Sequence, residues 1–411
     1  MRRLSADWLL PMDGAPVTGG AVLIADDGRI ASAGPDAAVP RPPGAPSAHY
    51  AGCTLIPGLV NAHTHLELTG LAGAIDTPDF AEWIRRIIAL KATFDYGHFL
   101  RAARQGIEDC HAMGVTTIAD TGDSGAVIEA LSEAGGSGIA YQEVFGPDPA
   151  QCEASLLGLQ QRVADRERFT TDRVRIGVSP HAPYTVSGPL YRAVVAWARQ
   201  RGLGVATHVA EPPGEAALFR DGTGSFAEMW LRRGIPLPAG PVSPIEWLHR
   251  HDALGPDVLC VHVVHADAAD VRRLATAGAP IAHCPLSNRA HAHGSAPLRA
   301  FLDAGLRVGC GTDSVVSVGR LDLLAEARAA RTLGGIDAEG ALALCTREAA
   351  LALGLGDEVG TITAGKWGDV AVVRTSGADA AAGAYEGVLA SRADDVAATV
   401  LGGRFVARRP G

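Results

Sequence analysis

Two histidines separated by a single residue, His63 and His65, close the apolar run LIPGLVNAHTHLEL at residues 55–68. Alternate residues of a β-strand point to the same side, so both imidazoles are expected to leave the strand together. Two neutral imidazoles with a shared direction supply half of a zinc-type site. Taken alone, the HxH spacing favours an ordinary pair of surface or core histidines, so its interpretation depends on the rest of the chain.

Five further residues with metal-binding or catalytic side chains also stand at the ends of predicted strands. Active sites of parallel barrels lie at the carboxyl ends of the strands, so residues in this position are expected to converge. Asp313 taken alone is more typical of a helix cap, but together with the histidines it favours a metal site. The five are His181 in SPHAPYTVS, His208 in THVAE, His262 in VLCVHVVHAD, His283 in AHCPLSN and Asp313 in GCGTDS.

Strands and helices alternate along the middle of the chain, and a helix is predicted to start at the N-cap residue Asp79 after a glycine-rich loop at residues 69–78. Counting the HxH strand, eight strands alternate with helices. This alternation predicts an α/β fold, a (β/α)8 TIM barrel. The other seven strands are predicted at residues 115–120, 138–145, 174–179, 203–208, 258–262, 280–283 and 308–312.

The two ends of the chain have the pattern of short strands and turns instead. Residues 20–25 and 29–34 flank the tight turn Asp26-Asp27-Gly28, and apolar runs of strand length recur at residues 370–374 and 397–406. We therefore expect the terminal segments to pair into one small composite β-sandwich domain. The predicted boundaries are residues 1–56 and 359–411 for its two parts and 57–358 for the barrel.

Composition excludes several classes of protein. Hydrophobic residues make up 47% of the 411 residues, enough for one large domain with a substantial core and a smaller one. The formal net charge of -9 argues against nucleic acid and anionic membranes as partners. No apolar run reaches the roughly 20 residues of a membrane helix, and no signal peptide is predicted. The seven cysteines lack a CxxC pair and fit reduced thiols in a cytoplasmic protein.

Several motifs together resemble one known family. PGLVNAHTHLEL, SPHAPYTVS, HVAE, VHVVHAD, HCPLSN and GTDS stand in the order found in the amidohydrolase superfamily, in particular its purine, pterin and triazine aminohydrolase group. The flanking segments DGRIASAG and GTITAGKWGDVAVV match as well. HTHLEL followed by DFAEWI, and YQEVFG, are similar to the aminodeoxyfutalosine deaminase branch, whose members serve menaquinone biosynthesis.

The resemblance implies a ligand set and a mechanism. It implies metal ligands His63, His65, His208 and Asp313, the catalytic residues Glu211 and His262, and a substrate contact from His181. Three imidazoles and a carboxylate suit Zn²⁺ or Fe²⁺, which lowers the pKa of a water toward neutrality. Glu211 could then move a proton from that water to a ring nitrogen of the substrate, His262 could orient the water, and Asp313 could relay a proton to the leaving amine.

A single metal ion is predicted. Superfamily members with paired metals usually bridge them with a carboxylated lysine, and this chain has only Lys91 and Lys366. One is predicted at the end of a helix and the other in a turn, so neither lies on a barrel strand. Glu143, on the third barrel strand, is the carboxylate that could substitute.

The predicted substrate is a small heterocyclic molecule, an adenine-type nucleoside such as aminodeoxyfutalosine. The expected protein partner is a second copy of the chain, in a homodimer. Other heterocycles, among them a guanine-like base, a pterin, a triazine or a cyclic amide, are the alternative, and a non-enzymatic scaffold is ranked last because no ligand is lost. One departure from the family pattern is that Arg289, His291 and His293 precede Gly294, where an apolar pair and a second glycine are usual. The candidate substrate contacts are Glu67, Phe80, Trp83, Glu143, Ser287, Asn288 and Ser317, with helix packing an equal alternative for the two aromatic residues.

Overall fold

The computed structural model describes residues 1–77, 79–375 and 380–409. In this part of the chain the strands form two sheets, one of seven strands and one of eight. The strands are β1 (Arg2–Leu9), β2 (Val17–Ile24), β3 (Ile30–Pro35), β4 (Ser47–Pro57), β5 (Leu59–Thr64), β6 (Val115–Gly122), β7 (Gly138–Val144), β8 (Val174–Pro180), β9 (Val205–Val209), β10 (Val258–His262), β11 (Ile281–His283), β12 (Val308–Cys310), β13 (Val370–Arg374), β14 (Val396–Leu401) and β15 (Arg404–Arg408).

The seven-stranded sheet joins the two ends of the chain, as predicted. Its order is β15-β14-β13-β4-β1-β2-β3, and β13 pairs antiparallel with β4, while β4 and β1 run parallel. The strands form one continuous mixed sheet around a buried cluster that includes Leu4, Ile24, Leu55 and Val372. The predicted run at 397–406 is divided into β14 and β15 by Gly402 and Gly403, whose positive φ angles of 54° and 79° permit a tight turn.

The eight-stranded sheet is the predicted barrel. Its strands β5 to β12 are parallel neighbours in sequence order, and a bridge from Thr64 to Asp313 brings the first strand against the end of the last. β5 and β6 are buried at every residue, as expected for barrel strands covered on both faces. Residue 58 separates β4 from β5, near the predicted boundary at residues 56 and 57, and the domain boundaries themselves stay a prediction.

Helices cover the outside of the barrel. Asp79 is the N-cap of the first one, accepting a hydrogen bond from the amide of Glu82, as predicted; Pro78, the last residue of the predicted loop, lies outside the described residues. The α-helices are α1 (Phe80–Lys91), α2 (Tyr96–Ala112), α3 (Ala126–Glu133), α4 (Cys152–Arg166), α5 (Gly188–Arg201), α6 (Pro213–Asp221), α7 (Gly224–Arg232), α8 (Pro244–Arg250), α9 (Ala268–Ala277), α10 (Pro285–Ala290), α11 (Leu298–Asp303), α12 (Val315–Val318), α13 (Leu323–Gly334), α14 (Ala338–Ala343), α15 (Arg347–Ala352) and α16 (Ala381–Ala390).

The sequence pattern missed some elements. The strands β1 and β4 and the helix α16 were not predicted, and β11 and β12 are shorter than the runs that predicted them. Every helix in the described ranges is too short or too polar to cross a bilayer.

Candidate metal centre and active site

Four predicted ligands converge at the carboxyl ends of the barrel strands. Nε2 of His65 lies 3.3 Å from Nε2 of His208 and 3.4 Å from Oδ1 of Asp313. Nε2 of His63 lies 3.6 Å from the same Asp313 oxygen. The side-chain nitrogens of His63, His65 and His208 lie within 4.8 Å of one another, as do the ligand atoms of His63, His262 and Asp313.

The hydrogen bonds of the imidazoles fit a bound cation. Nδ1 of His65 donates to the carbonyl of Thr121 at 2.8 Å, and Nδ1 of His208 donates to the carbonyl of His181 at 3.1 Å. A neutral imidazole carries one proton, so both Nε2 atoms present lone pairs, and these face each other. Burial lowers the pKa of His65 to about 4, which keeps that ring neutral. Opposed lone pairs beside a carboxylate are stabilised by a cation, and the donor set suits Zn²⁺ or Fe²⁺.

His63 is held by its neighbours on the first and last strands. Its Nε2 is buried without a hydrogen-bond partner in the described residues, which leaves the atom free for a ligand bond. The side chain of Asn61 accepts from the amide of Thr312 at 3.0 Å and donates to its hydroxyl at 2.8 Å. A Cβ on Gly311 would lie 2.7 Å from the amide nitrogen of His63, so only glycine permits this approach.

Asp313 is the carboxylate of the centre. Its backbone has a φ of 58°, and its amide donates to the carbonyl of His63 at 3.0 Å. Ser287 donates a hydrogen bond to Oδ2, which leaves Oδ1 facing the imidazoles. Burial opposes ionisation, but the neighbouring imidazoles of His63 and His65 hold the pKa of Asp313 well below its usual range. A left-handed backbone at a non-glycine residue is typical of functional sites.

Glu211 lies between two imidazoles next to this centre. Its Oε1 is 3.6 Å from Nε2 of His262 and 3.5 Å from Nδ1 of His293. The carboxylate is 95% buried, and burial together with Asp313 and Glu215 raises its pKa well above the usual range. Glu215 fixes the backbone here, because its Oε2 accepts from the amide of Glu211 at 2.9 Å. A carboxyl group with a raised pKa is suited to exchange protons near neutral pH.

His181 and Glu143 form the opposite side of the site. Nδ1 of His181 lies 2.7 Å from the hydroxyl of Thr185, and burial lowers the pKa of this histidine to about 3. Glu143 is buried, and its Oε1 has no hydrogen-bond partner in the described part of the chain. These two residues and His208 form a third group of potential ligands. His208 has only its Nε2 free, and that atom faces His65, so the geometry favours one metal position.

Glu67 belongs to an ion pair at the edge of the site. Nζ of Lys91 donates to Glu67 at 2.6 Å and to Asp123 at 2.5 Å, and Ser124 also donates to Glu67. Burial opposes the charge of Lys91, but the two carboxylates raise its pKa, so the ammonium is retained. Lys91 is therefore committed to this pair, and Lys366 donates to the carbonyl of Gly356. Sequence placed Lys91 at a helix end without finding this contact.

The aromatic residues of α1 contact His291 and His293, the histidines that depart from the family pattern. The ring of Phe80 meets that of His293 edge-on at 4.5 Å, and Trp83 meets His291 at 4.8 Å. Nε2 of His291 lies 2.9 Å from the hydroxyl of Ser317. Helix α1 is thereby joined to the loop that carries His293.

The structure leaves one predicted residue outside the groups of potential ligands, and sequence analysis missed others. His283 ends β11 as expected, but among the described residues it belongs to none of these groups. Asn288, one of the predicted substrate contacts, accepts a hydrogen bond from Nδ1 of His262 at 2.9 Å. Sequence did not single out Asp120, whose Oδ2 accepts from the hydroxyl of Thr64 at 2.8 Å, or Phe145, whose ring lies 4.9 Å from that of His181. It also missed the contact of His293 with Glu211, although the unusual histidines after Asn288 were a signal.

Comparison with known proteins defines the class. The profile of the amidohydrolase family matches residues 54–406, and the chain belongs to this family. It is accordingly a hydrolase acting on carbon–nitrogen bonds other than peptide bonds. The resemblance inferred from the motifs is confirmed.

Named relatives are similar over most of their length. The aminodeoxyfutalosine deaminase of Deinococcus radiodurans is 31% identical over 350 residues, covering 81% of this chain and 80% of that protein. The 5-methylthioadenosine/S-adenosylhomocysteine deaminase of Halobacterium salinarum is 31% identical over 380 residues, covering 87% and 83%. An adenosine deaminase of Xanthomonas campestris, solved with bound zinc, superposes with a TM-score of 0.84 over 98% of this chain and 92% of its own, at 23% identity.

Proposed function

We propose that the chain is a metal-dependent deaminase of an adenine-type nucleoside such as aminodeoxyfutalosine, releasing ammonia from the amino-bearing ring carbon. The observation that carries the proposal is the pair of facing Nε2 lone pairs of His65 and His208 beside Asp313. The relatives support the substrate class, because aminodeoxyfutalosine, methylthioadenosine and S-adenosylhomocysteine all contain an adenine base on a ribose-type sugar.

His63, His65, His208 and Asp313 would hold one Zn²⁺ or Fe²⁺. Such an ion supplies Lewis acidity, which makes water a competent nucleophile at neutral pH. The remaining residues bind the substrate, orient the water and move protons. Ser287 holds Asp313 in place by donating a hydrogen bond to Oδ2, which leaves Oδ1 directed into the centre.

Glu211 is the proposed proton shuttle. Its raised pKa allows it to accept a proton from the attacking water and return it to a ring nitrogen of the substrate, which makes the ring carbon more electrophilic. His262 orients the water. Its ring is fixed by Asn288, whose oxygen accepts from Nδ1 at 2.9 Å. Asp313 relays the proton to the departing amine.

His181 and Glu143 are the proposed recognition residues. Both are next to the imidazoles, and Oε1 of Glu143 is buried without a partner in the described residues. A buried, unpaired carboxylate oxygen is costly unless a ligand supplies a donor, and a hydroxyl or amino group of a nucleoside is such a donor. Phe80 and Trp83 provide flat apolar surface on α1, where they contact His293 and His291 near Glu211.

An ammonia-release assay on a substrate panel tests this function. The panel contains adenine nucleosides with different 5′ groups, together with guanine, a pterin and an aminotriazine. The proposal predicts ammonia from an adenine nucleoside with the highest kcat/KM. Preferential hydrolysis of one of the other heterocycles would assign the same metal chemistry to that class and remove the nucleoside assignment.

A further inference from the structure

His293 occupies a turn that directs its ring inward. Helix α10 ends at Ala290, and the amide of His293 then donates to the carbonyl of Asn288 at 2.9 Å. Ala292 adopts a φ of 52°, a conformation that alanine rarely takes. The turn places a ring that is 98% buried against the carboxylate of Glu211. Backbone strain that fixes the direction of one side chain is typical of functional positions.

The positions of the ring protons decide which imidazole can donate a hydrogen bond to Glu211. Nδ1 of His262 donates to Asn288, so the Nε2 of neutral His262 that faces Glu211 is a lone pair. Two acceptors then face each other at 3.6 Å, and His262 cannot stabilise the ionised carboxylate. His293 has no such commitment: neither of its ring nitrogens has a hydrogen-bond partner in the residues described. A nearby carboxylate favours the tautomer with its proton on the facing nitrogen, Nδ1.

We infer that His293 is a positioning residue for the proton shuttle: its Nδ1–H donates to Oε1 of ionised Glu211 and holds the carboxylate in its catalytic orientation. The inference rests on the proposed function in taking Glu211 as the shuttle. The separation of 3.5 Å is about 0.5 Å longer than a good hydrogen bond, and catalytic hydrogen bonds commonly tighten when substrate binds.

Helix α1 contributes to this arrangement. Phe80 meets the His293 ring at an interplanar angle of 89°, and His291 packs against the same ring at 5.3 Å. These contacts restrict rotation of the imidazole. The orientation of Glu211 is thereby linked to the packing of the aromatic helix, and a substrate that presses on α1 would bring His293 and Glu211 together.

Three substitutions at His293 separate a positioning role from simple packing. In His293→Asn the side-chain nitrogen is as many bonds from Cα as Nδ1, whereas in His293→Gln it corresponds to Nε2, and His293→Leu has no donor. We expect the Gln and Leu variants to lose about 10–100-fold in kcat, the range for partners that orient functional groups, with unchanged metal content. The Asn variant should retain kcat within about threefold. Equal losses in all three variants, or none in His293→Leu, would overturn the inference.

A double variant and a matched control guard against misfolding. His293→Leu should cost little further kcat when Glu211 is already Gln, because the proton transfer that His293 positions is then already lost. His111 is also buried, its Nε2 also lacks a partner in the described residues, and it lies on α2 away from the site. His111→Leu therefore reports the general effect of removing a buried imidazole, and it should leave kcat unaltered. A full further loss in the double variant would contradict the positioning role.

A measurement without substrate separates this inference from the proposed function. Long-range ¹H–¹⁵N spectra of zinc-loaded protein labelled at histidine report the tautomer of each ring, and the His293 signal is assigned by its loss in His293→Asn. We expect the Nδ1–H tautomer; an Nε2–H tautomer would refute the inference. If the wild type hydrolyses a different heterocycle, the nucleoside assignment fails while the spectra and the variants, assayed on that heterocycle, still decide the role of His293.

Discussion

The backbone amide of Asp313 donates a 3.0 Å hydrogen bond to the carbonyl of His63, and the side chains of the same two residues lie 3.6 Å apart. One residue follows the last barrel strand and the other lies on the first. Closure of the barrel and assembly of the candidate metal centre therefore depend on the same contact. A substitution that separates these strands should affect the centre before it affects the outer helices.

Gly311→Ala tests this dependence. The added methyl would lie 2.7 Å from the amide nitrogen and 2.8 Å from Cβ of His63. Overpacking of this kind costs about 1–3 kcal/mol, and here it displaces a proposed ligand, so both melting temperature and zinc content should fall. Gly158→Ala on the exposed side of α4, where the new methyl meets only the end of Arg162, is the control. Normal zinc content in Gly311→Ala would show that His63 does not depend on this approach.

Glu211→Gln should retain metal and lose activity. The amide keeps the size of the side chain but cannot accept and return a proton, so kcat should fall by about 10²–10⁴-fold, the usual range for general acid–base catalysis. The measurement is steady-state kinetics on preparations matched for metal content. Near-normal turnover would remove Glu211 from the mechanism.

Much of the centre could be predicted because its signal is local. His63 and His65 stand two residues apart at the end of one strand, and the other candidates each follow an apolar run, so strand ends alone pointed to the proposed ligands. His283 has the same sequence context, yet among the described residues it belongs to none of the groups of potential ligands. A position at the end of a strand does not by itself bring a side chain to the centre.

The parts that sequence missed depend on contacts between distant segments. Lys91 pairs with Glu67, 24 residues away in sequence. His293 contacts Glu211, which belongs to a distant part of the chain. The periodic pattern of apolar residues in a sequence does not predict such contacts. Strand β1 was missed because its polar residues, such as Arg3 and Ser5, are buried between neighbours of the terminal sheet instead of alternating with exposed positions.

Glu143→Ala should depress kcat/KM for the adenine nucleoside while metal content stays normal. Loss of the bond would leave a substrate donor buried and unpaired, at a cost of about 1–3 kcal/mol in transition-state binding. If Glu143→Ala matched wild type, this carboxylate would have no part in recognition.

Trp83→Ala should mainly raise KM. The ring stacks with Phe80 at 5.7 Å and contacts His291, so its removal loosens the aromatic surface proposed to cover the substrate. Ile88 lies on the same helix with 61% of its surface exposed, and Ile88→Ala should leave KM as in wild type. A KM unchanged in Trp83→Ala would place the substrate elsewhere on the catalytic face.

The most direct test of a mononuclear adenine-nucleoside deaminase is a titration of metal-free protein with Zn²⁺, with ammonia release from aminodeoxyfutalosine followed at each point. Four ligands and one converging position predict that activity rises from near zero and saturates at about one metal per chain. Full activity without metal, saturation at two metals per chain, or a zinc-loaded protein that releases no ammonia from any adenine nucleoside would contradict the account.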